Sequence, residues 1–487
     1  MGNKCHPAVS VEPATEDTGT FEIGNTKWRF VIISLSWWIT FLTAFQYVQY
    51  IMVPDLLTEY FNVSNTAISW TVTLMNAVFL ITVFPTMWFL ERFDLRIATL
   101  VPAGCLLIGS VFKCIVISRS FVFTIVGQCF VGVGNVFASL LPARIAAEWF
   151  PTEELSMATG IVLSAQIIGN AFGVLIPPLV IEGPTNWTDY SQPDYENETH
   201  NFSNVAAMKV YDQIFPLFLA QAIVAIVVFG ATLGLFRSSP LQPPSYIAQL
   251  KMVSSTAPMS AFNIKSYKSL VTNLQFILLM VSYGIAIGCY MTFVTLITQI
   301  LNPYLVDTSP HDINLLVAEM SFTRTIAGFF GSVLAGMLLD WYPFFKIAFM
   351  IDYSLMCASL VGFTVCVVFG GVVEQFVLMG TVGFFFNSVY SFAFQLGSEI
   401  TFPVPESTMT GLLTVTSHLV SLILTQIVQF EIDYFEASPE LGSKYALGTL
   451  AVALGCGLVI TAVIKEDRRR ENASLLQRRR FSTVPIF

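Results

Sequence analysis

Long apolar runs separated by short polar breaks fill this chain. They lie at approximately 30–54, 68–90, 97–118, 121–143, 156–181 and 211–236, then at 271–300, 313–339, 343–369, 372–397, 408–431 and 443–464. A helix needs roughly 20 mostly apolar residues to cross a bilayer, and backbone polar groups in lipid must be satisfied within the segment. The pattern therefore predicts an all-α membrane protein of twelve transmembrane helices. Two connections are longer than the rest: Glu182–Tyr211, polar and acidic, and Arg237–Leu270, rich in Ser, Pro and Lys. The second divides the helices six and six. The expected organisation is an N-terminal tail over 1–28, a six-helix bundle over 29–236, a linker over 237–270, a second bundle over 271–464 and a tail over 465–487.

Composition agrees: 55% of the residues are hydrophobic and only 11% are charged, too few charges to coat a water-facing surface. Lys and Arg then orient the helices, because cytoplasmic loops collect them. Lys4, Lys27, Arg29, Arg92, Arg96, Arg144, Arg237, Lys251, Lys265, Lys268, Lys346, Lys465 and the triplets Arg468–Arg470 and Arg478–Arg480 all fall on one side. That side holds eighteen of the 23 cations. Lys113, Arg119, Lys209 and Lys444 fall on the other. Both termini and the linker are therefore expected in the cytoplasm. Four glycosylation sequons, at Asn62, Asn186, Asn197 and Asn201, then occupy exterior loops. A fifth, at Asn472, lies in the cytoplasmic tail and is expected to stay unmodified. The polar, acidic N-terminus does not read as a cleavable signal. The plasma membrane is the expected location. The run Glu471 to Leu475-Leu476, an acidic dileucine form, makes an endolysosomal membrane the alternative.

The two halves carry matching cytoplasmic signals. Glu91 with Arg92 and Arg96 after helix 2 is echoed by Asp340 with Lys346 after helix 8, 249 residues later by the acids. After helix 4, Phe150-Pro-Thr-Glu-Glu154-Leu-Ser156-Met157 is echoed by Phe402-Pro-Val-Pro-Glu406-Ser-Thr408-Met409, at an offset of 252. Two signals agreeing on one offset mark two six-helix pseudo-repeats, related by an axis along the membrane normal. Carboxylates and guanidiniums at helix ends can make charge-assisted hydrogen bonds to neighbouring helix ends. Glu91, Arg92, Arg96, Arg144, Glu154, Asp340 and Glu406 are thus candidate gating residues that latch the cytoplasmic face while the exterior is open.

Polar side chains at membrane depth are the candidate binding residues, since they are costly in lipid and commonly face a cavity. Helix 1 has Gln46, Tyr47, Gln49 and Tyr50, with Gln46 and Tyr50 one turn apart on one face. Later helices supply Asn76, Gln128, Asn135, Gln166, Asn170, Asn387, Gln395 and Gln426. Interhelical hydrogen bonding, worth only about 0.6 kcal/mol on average, is the competing explanation for any one of them. Tyr47, Tyr283, Tyr290, Phe384–Phe386 and Tyr390 add rings, which attract an organic cation by about 2 kcal/mol when it is desolvated. Ionisable groups sit inside second-half segments: Glu319 and Arg324 in helix 8, Asp352 in helix 9 and His418 in helix 11. Glu319 and Arg324 stand too far round the helix to pair well, so their partners are expected on other helices. His418, with an ordinary pKa near 6.5, could carry a proton.

The stretches Ala44-Phe45-Gln46-Tyr47-Val48-Gln49-Tyr50, Leu141-Pro-Ala-Arg144 through Trp149-Phe150, Gln166-Ile-Ile-Gly169 and Gly173 through Pro177-Pro178 resemble one family. So do Ser282-Tyr283-Gly284, Gly288 and the run from Thr401-Phe-Pro403 to Gly411-Leu-Leu. This is the feline leukaemia virus subgroup C receptor-related family of major facilitator transporters, and the similarity spans nearly all twelve helices. It implies the major facilitator fold and a facilitative carrier for choline and ethanolamine, for which haem export has also been proposed. It further implies a cage for the quaternary ammonium made by a helix-1 Trp and a helix-7 Tyr, assisted by glutamines on helices 5 and 11. Gln166 matches the helix-5 glutamine; Tyr47 stands in place of the Trp, Met291 (beside Tyr290) in place of the Tyr, and His418 in place of the helix-11 glutamine.

The substrate-binding candidates are accordingly Gln46, Tyr47, Tyr50, Gln128, Gln166, Asn170, Tyr283, Tyr290, Met291 and His418. The eight cysteines form no CxxC pair and no metal-ligand spacing, so neither metal nor cofactor is expected. No phosphate loop, HExxH or GxSxG motif is present, and no basic patch interleaved with aromatics points to nucleic acid. The expectation is a non-enzymatic transporter whose partners are a small molecule and the bilayer. It moves a small organic cation or amine-alcohol by alternating access. The rivals are a proton-coupled symporter of a vitamin-like solute and a non-transporting receptor built on a transporter fold.

Overall fold

The computed structural model describes residues 27–115, 120–151, 154–181, 199–240, 264–305, 310–341, 344–402, 404 and 406–465. The N-terminal tail, the sequons at Asn186, Asn197 and Asn472, most of the linker and the dileucine segment lie outside the described residues. The first half comprises α1 (Trp28–Val48), a short α2 (Pro54–Phe61), α3 (Asn65–Arg92), α4 (Leu95–Cys114), α5 (Phe121–Trp149), α6 (Leu155–Val180) and α7 (Thr199–Leu235). After a short α8 (Ile264–Thr272), the second half comprises α9 (Leu274–Leu301), α10 (Pro310–Trp341), α11 (Phe345–Phe369), α12 (Val372–Thr401), α13 (Glu406–Tyr434) and α14 (Pro439–Val463). Twelve of these, all but α2 and α8, are long and apolar enough to span a bilayer. An even number of spans puts the two chain ends on one face, called here the near face.

Local chemistry explains the breaks. The first apolar run continues past Val48, but Pro54 cannot extend a helix and opens α2 instead, at its first position. Asn62 ends α2 in the left-handed conformation that Asn tolerates (φ 52°), and it is exposed. Ser64 and Asn273 accept backbone N–H bonds at the starts of α3 and α9.

Packing repeats between the halves. In the first, α1 lies on α6, α5 on both α3 and α4, and α4 on α7; in the second, α9 lies on α13, α12 on both α10 and α11, and α11 on α14. The halves meet along two equivalent seams, α3 with α13 and α10 with α6. The chain thus folds as two six-helix pseudo-repeats.

Glycines bring the paired helices together at matching places. A Cβ on Gly169 would run into the Phe41 carbonyl of α1, and one on Gly173 would sit 2.5 Å from the Phe45 carbonyl. In the second half, Gly284 and Gly288 of α9 press on Thr416 and Val420 of α13. Gly160, on the same helix as Gly169, has nothing within 4 Å of its Cβ position. Gly169→Ala is therefore expected to destabilise the protein by about 1–3 kcal/mol through overpacking, whereas Gly160→Ala is neutral or slightly stabilising. Melting curves of the two variants in detergent check this; equal melting temperatures contradict it.

The halves are joined tightly at the far face. Ser69 Oγ donates to Gln429 Oε1 (2.8 Å), Gln299 Nε2 to Ser69 Oγ (2.9 Å) and Thr66 Oγ1 to Asp433 Oδ2 (2.7 Å). Gln429 Nε2 donates to Gln299 Oε1 and to Asp433 Oδ1, both at 2.9 Å, while Thr298 Oγ1 donates to the Ile51 carbonyl at 2.8 Å. Val48, Ile51, Met52, Val72 and Val174 of the first half share one buried core with Phe293, Ile297 and Ile300 of the second. On the near face, the following ion pairs and side-chain hydrogen bonds among the described residues each close within a single half. Arg29 pairs with Glu154 (2.7 Å) and Arg144 with Glu148 (3.0 Å). Arg96 donates to the Leu233 carbonyl (2.7 Å), and Lys346 to that of Ala462 (3.2 Å). This conformation is shut on the far side.

Candidate functional site

A polar thread crosses the seam at mid-depth. Tyr47, near the end of α1, donates its hydroxyl to Asn76 Oδ1 of α3 at 2.9 Å. The same oxygen lies 3.0 Å from His418 Nδ1 of α13, and Asn76 Nδ2 donates to Ser421 Oγ at 3.2 Å. An amide oxygen only accepts, so His418 Nδ1 carries a proton in this arrangement. The imidazole stacks on Phe79 of the first half, with ring centroids 4.0 Å apart. Tyr47 is only half-buried and packs against the core that spans both halves, with Tyr390 as a neighbour; Tyr290 and Met291 pack against the same core. Two candidates, Tyr47 and His418, together with Asn76, Ser421 and Tyr390, therefore meet at one junction between the halves.

Gln166 and Asn170 of α6 are half-buried, one turn apart, on the helix that Gly169 and Gly173 hold against α1. Gln166 has no hydrogen bond among the described residues, and Asn170 Oδ1 is buried without a partner. Tyr283 is fully buried below this level. It meets Tyr390 edge-on at 5.8 Å and Phe394 at 5.7 Å, and its hydroxyl lacks a partner among the described residues.

Three candidates turn away from the junction. Gln46, Tyr50 and Gln128 enclose Lys113, a cation that the charge count placed on the far side of the membrane, near the end of the apolar run 97–118. Lys113 is instead 1% exposed at the end of α4. Its ammonium donates to Gln46 Oε1 (2.9 Å) and Gln128 Oε1 (2.8 Å) and lies 5.4 Å from the centroid of the Tyr50 ring. Gln46 Nε2 donates on to Ser110 Oγ (2.8 Å), and Gln128 Nε2 to the Gln46 carbonyl (3.3 Å). A ring and two amide oxygens form a cage of the kind that suits an organic cation, and the protein's own ammonium fills it.

A second buried cation escaped the sequence reading as a site residue. Arg324 of α10 is 3% exposed and donates from Nη1 to the Tyr290 hydroxyl at 2.5 Å, to which Asn387 Nδ2 also donates at 3.2 Å. Its Cζ lies 5.1 Å from the Tyr290 ring centroid. Cation–aromatic attraction is worth about 2 kcal/mol when desolvated. Two unit positive charges about 5 Å apart repel by about 3 kcal/mol at an effective dielectric of about 20. The Tyr290 ring is thus a poor seat for an unaccompanied ammonium, and the Tyr47–Tyr390 side is the better one. The Arg324–Tyr290 contact also gives Arg324 a partner on another helix, while Glu319 is exposed. Asp352 of α11 is buried and accepts from Ser388 Oγ at 2.5 Å.

A groove of about 510 Å³ lies apart from this junction, between α10, α11 and α12. Its lining includes Asp352 and Ser388, but also the exposed Trp341, Phe344, Ile347 and Ile351, so it opens on the outside of the bundle. Of the gating candidates, Arg96, Arg144 and Glu154 make the near-face contacts given above, and Arg92 is exposed. The side chains of Glu91, Asp340, Glu406 and the sequon residue Asn201 lie outside the described residues.

The sequence profile of the Major Facilitator Superfamily matches residues 31–425. The choline/ethanolamine transporter FLVCR1 of Felis catus is 29% identical over 467 residues, spanning 95% of this chain and 77% of that protein. The choline/ethanolamine transporter FLVCR2 of Homo sapiens is 26% identical over 460 residues, 94% of this chain and 81% of that protein. Among solved structures, a bacterial homolog of the human lysosomal transporter Spinster, inward-facing and unoccupied, superposes with a TM-score of 0.64. At 13% identity, over 90% of this chain and 97% of that one, it speaks for the fold.

Proposed function

Because the chain belongs to the Major Facilitator Superfamily and is a multi-pass membrane transporter, we propose that its substrate is a small organic cation or amine-alcohol, of the choline/ethanolamine kind for which its relatives are named. Transport proceeds by facilitated alternating access between the two six-helix domains. The observation that carries this reading is the Tyr47–Asn76–His418 thread, a chain of hydrogen bonds joining the halves at mid-depth beside half-buried rings. The solute lies between the halves, its ammonium against Tyr47 and Tyr390, with Gln166, Asn170 and Met291 along the walls. Gln46, Tyr50 and Gln128 support the site through Lys113, and Tyr283 closes it from below.

The near face is cytoplasmic, from the bias of Lys and Arg, and the far face is exterior. Asn62 is exposed there and open to glycosylation. The hydrogen bonds between Ser69, Gln299, Gln429 and Asp433 form the exterior gate. The near-face residues Arg92, Arg96, Arg144 and Glu154, with Glu91, Asp340 and Glu406, exchange partners when the exterior opens. The plasma membrane is the proposed location.

Cells expressing the chain, offered choline, ethanolamine, haem and pyridoxine at an acidic and a neutral pH, provide the test. Saturable uptake of an ammonium or amine-alcohol is the expected result; uptake of none of them by surface-expressed protein removes the reading. His418 supports a second reading, proton-coupled symport, because its imidazole sits inside a bond that joins the halves. Uptake that follows an imposed pH gradient and collapses in His418→Ala selects symport. Exchange independent of pH selects facilitated diffusion.

A further inference from the structure

Arg324 is a guanidinium in the middle of a spanning helix, with too few acceptors for its donors. Nη1 is held by the Tyr290 hydroxyl (2.5 Å) and Nη2 by its neighbour Thr325 Oγ1 (3.5 Å), while Nε is buried with no acceptor. No carboxylate pairs with it among the described residues. The ion pairs there join Arg29 with Glu154, Arg144 with Glu148 and Lys444 with Glu440. Glu319, five residues earlier on the same helix, is turned about 140° away and is exposed. Asp352 is held by Ser388.

A charge kept at membrane depth without a partner is expensive and marks a site where a counter-charge arrives. The planar guanidinium fork matches carboxylate and phosphate oxygens, which can accept two of its bonds at once. Arg324 borders the proposed solute position, since Tyr390 neighbours both Tyr47 and Tyr290 and Tyr290 holds the guanidinium. The Tyr290 face is already taken by this cation. Asn387, which donates to the same phenol, adds an amide at the same spot.

We infer that the transported solute carries an anionic group, a carboxylate or phosphate, in addition to its ammonium, and that Arg324 receives it. This rests on the ammonium seat of the organic-cation reading and moves the solute from simple cations to molecules that carry an anionic group beside that ammonium. The anion neutralises Arg324, filling its unused Nε donor. The ammonium lies beyond, against Tyr47 and Tyr390, where the approach of a second positive charge is no longer opposed.

Purified full-length protein in detergent tests this with three probes that share one trimethylammonium group: choline, glycine betaine and phosphocholine. Binding is read by thermal stabilisation and by displacement between the probes. At least one of the two anion-bearing probes is expected to bind tenfold or more tightly than choline. Arg324→Gln should abolish that preference, and Arg324→Lys should keep part of it for phosphocholine. Choline binding as well as, or better than, both others overturns the inference and leaves the organic-cation reading intact. So does a preference that survives Arg324→Gln. Binding of none of the three overturns both. Should Arg324→Gln fail to fold, the wild-type ranking and Arg324→Lys still decide.

Discussion

Lys113→Ala is expected to lower the stability of the first half by about 3 kcal/mol or more, seen as a lower melting temperature and poor recovery of monodisperse protein from detergent. The buried ammonium is the only donor to Gln46 Oε1 and Gln128 Oε1 among the described residues. Removing it strands two buried amide oxygens, at about 1–3 kcal/mol each. The lost alkyl chain leaves a cavity, which adds to the loss. Relief from burying a charge opposes these terms, but only the charge goes; the polar groups gathered round it remain. Replacing all three residues, as Gln46→Leu with Lys113→Met and Gln128→Leu, removes the stranded groups as well. By the precedent of buried ionic clusters exchanged for apolar ones, that variant is expected to melt near the wild type or above it. A single alanine variant that melts like the wild type shows that the cluster holds nothing together.

Lys113 also shows what a linear reading can and cannot see. Hydropathy located all twelve spans, because a bilayer imposes a length and an apolar content that survive without any knowledge of packing. It could not see where a helix stops inside an apolar run, as at Val48, where a proline six residues on decides the matter. Nor did it detect α8 (Ile264–Thr272), a polar helix within the linker. The same linear reading counted Lys113 among the far-side cations, since a cation near the end of an apolar run looks close to water. The one-turn spacing of Gln46 and Tyr50 put them on one helix face; α1 ends at Val48, short of Tyr50, yet both meet one partner. That partner is a lysine on α4, and Tyr47, about 100° further round the helix, is the residue that reaches the seam.

Contacts between the halves were beyond reach for another reason. Asn76 and His418 are 342 residues apart, and pairing them needs the seam between α3 and α13. A repeat seen in sequence implies two equivalent seams but does not say which side chains meet there. The resemblance to choline/ethanolamine transporters brought Tyr47, Gln166, Met291 and His418 forward as a set, and the structure places Tyr47 and His418 at the seam. Arg324 was noticed only as an unpaired charge, because its significance depends on which phenol it touches.

Tyr47→Ala is expected to reduce uptake at limiting substrate about a hundredfold, and Tyr47→Phe about tenfold. The phenylalanine keeps the ring that attracts an ammonium but gives up the hydroxyl bond to Asn76 Oδ1. A bond of this kind contributes about 1 kcal/mol, with somewhat more lost where a buried acceptor goes unmet. Here His418 still donates to the same oxygen, so the acceptor is not stranded, and a tenfold effect corresponds to about 1.4 kcal/mol. Alanine removes the ring as well, and with it about 2 kcal/mol of cation attraction. Gln166→Ala, which removes an unpaired amide from α6, the helix packed on α1, should also abolish the active flux. Surface labelling must show each variant in the membrane at wild-type abundance, so that lost transport is not lost protein. If Tyr47→Ala and Gln166→Ala both leave the flux untouched, the solute takes another route. If Tyr47→Phe is as damaged as Tyr47→Ala, the ring does not hold the ammonium, and Tyr47 serves to tie α1 to the Asn76–His418 thread through which the two halves move together.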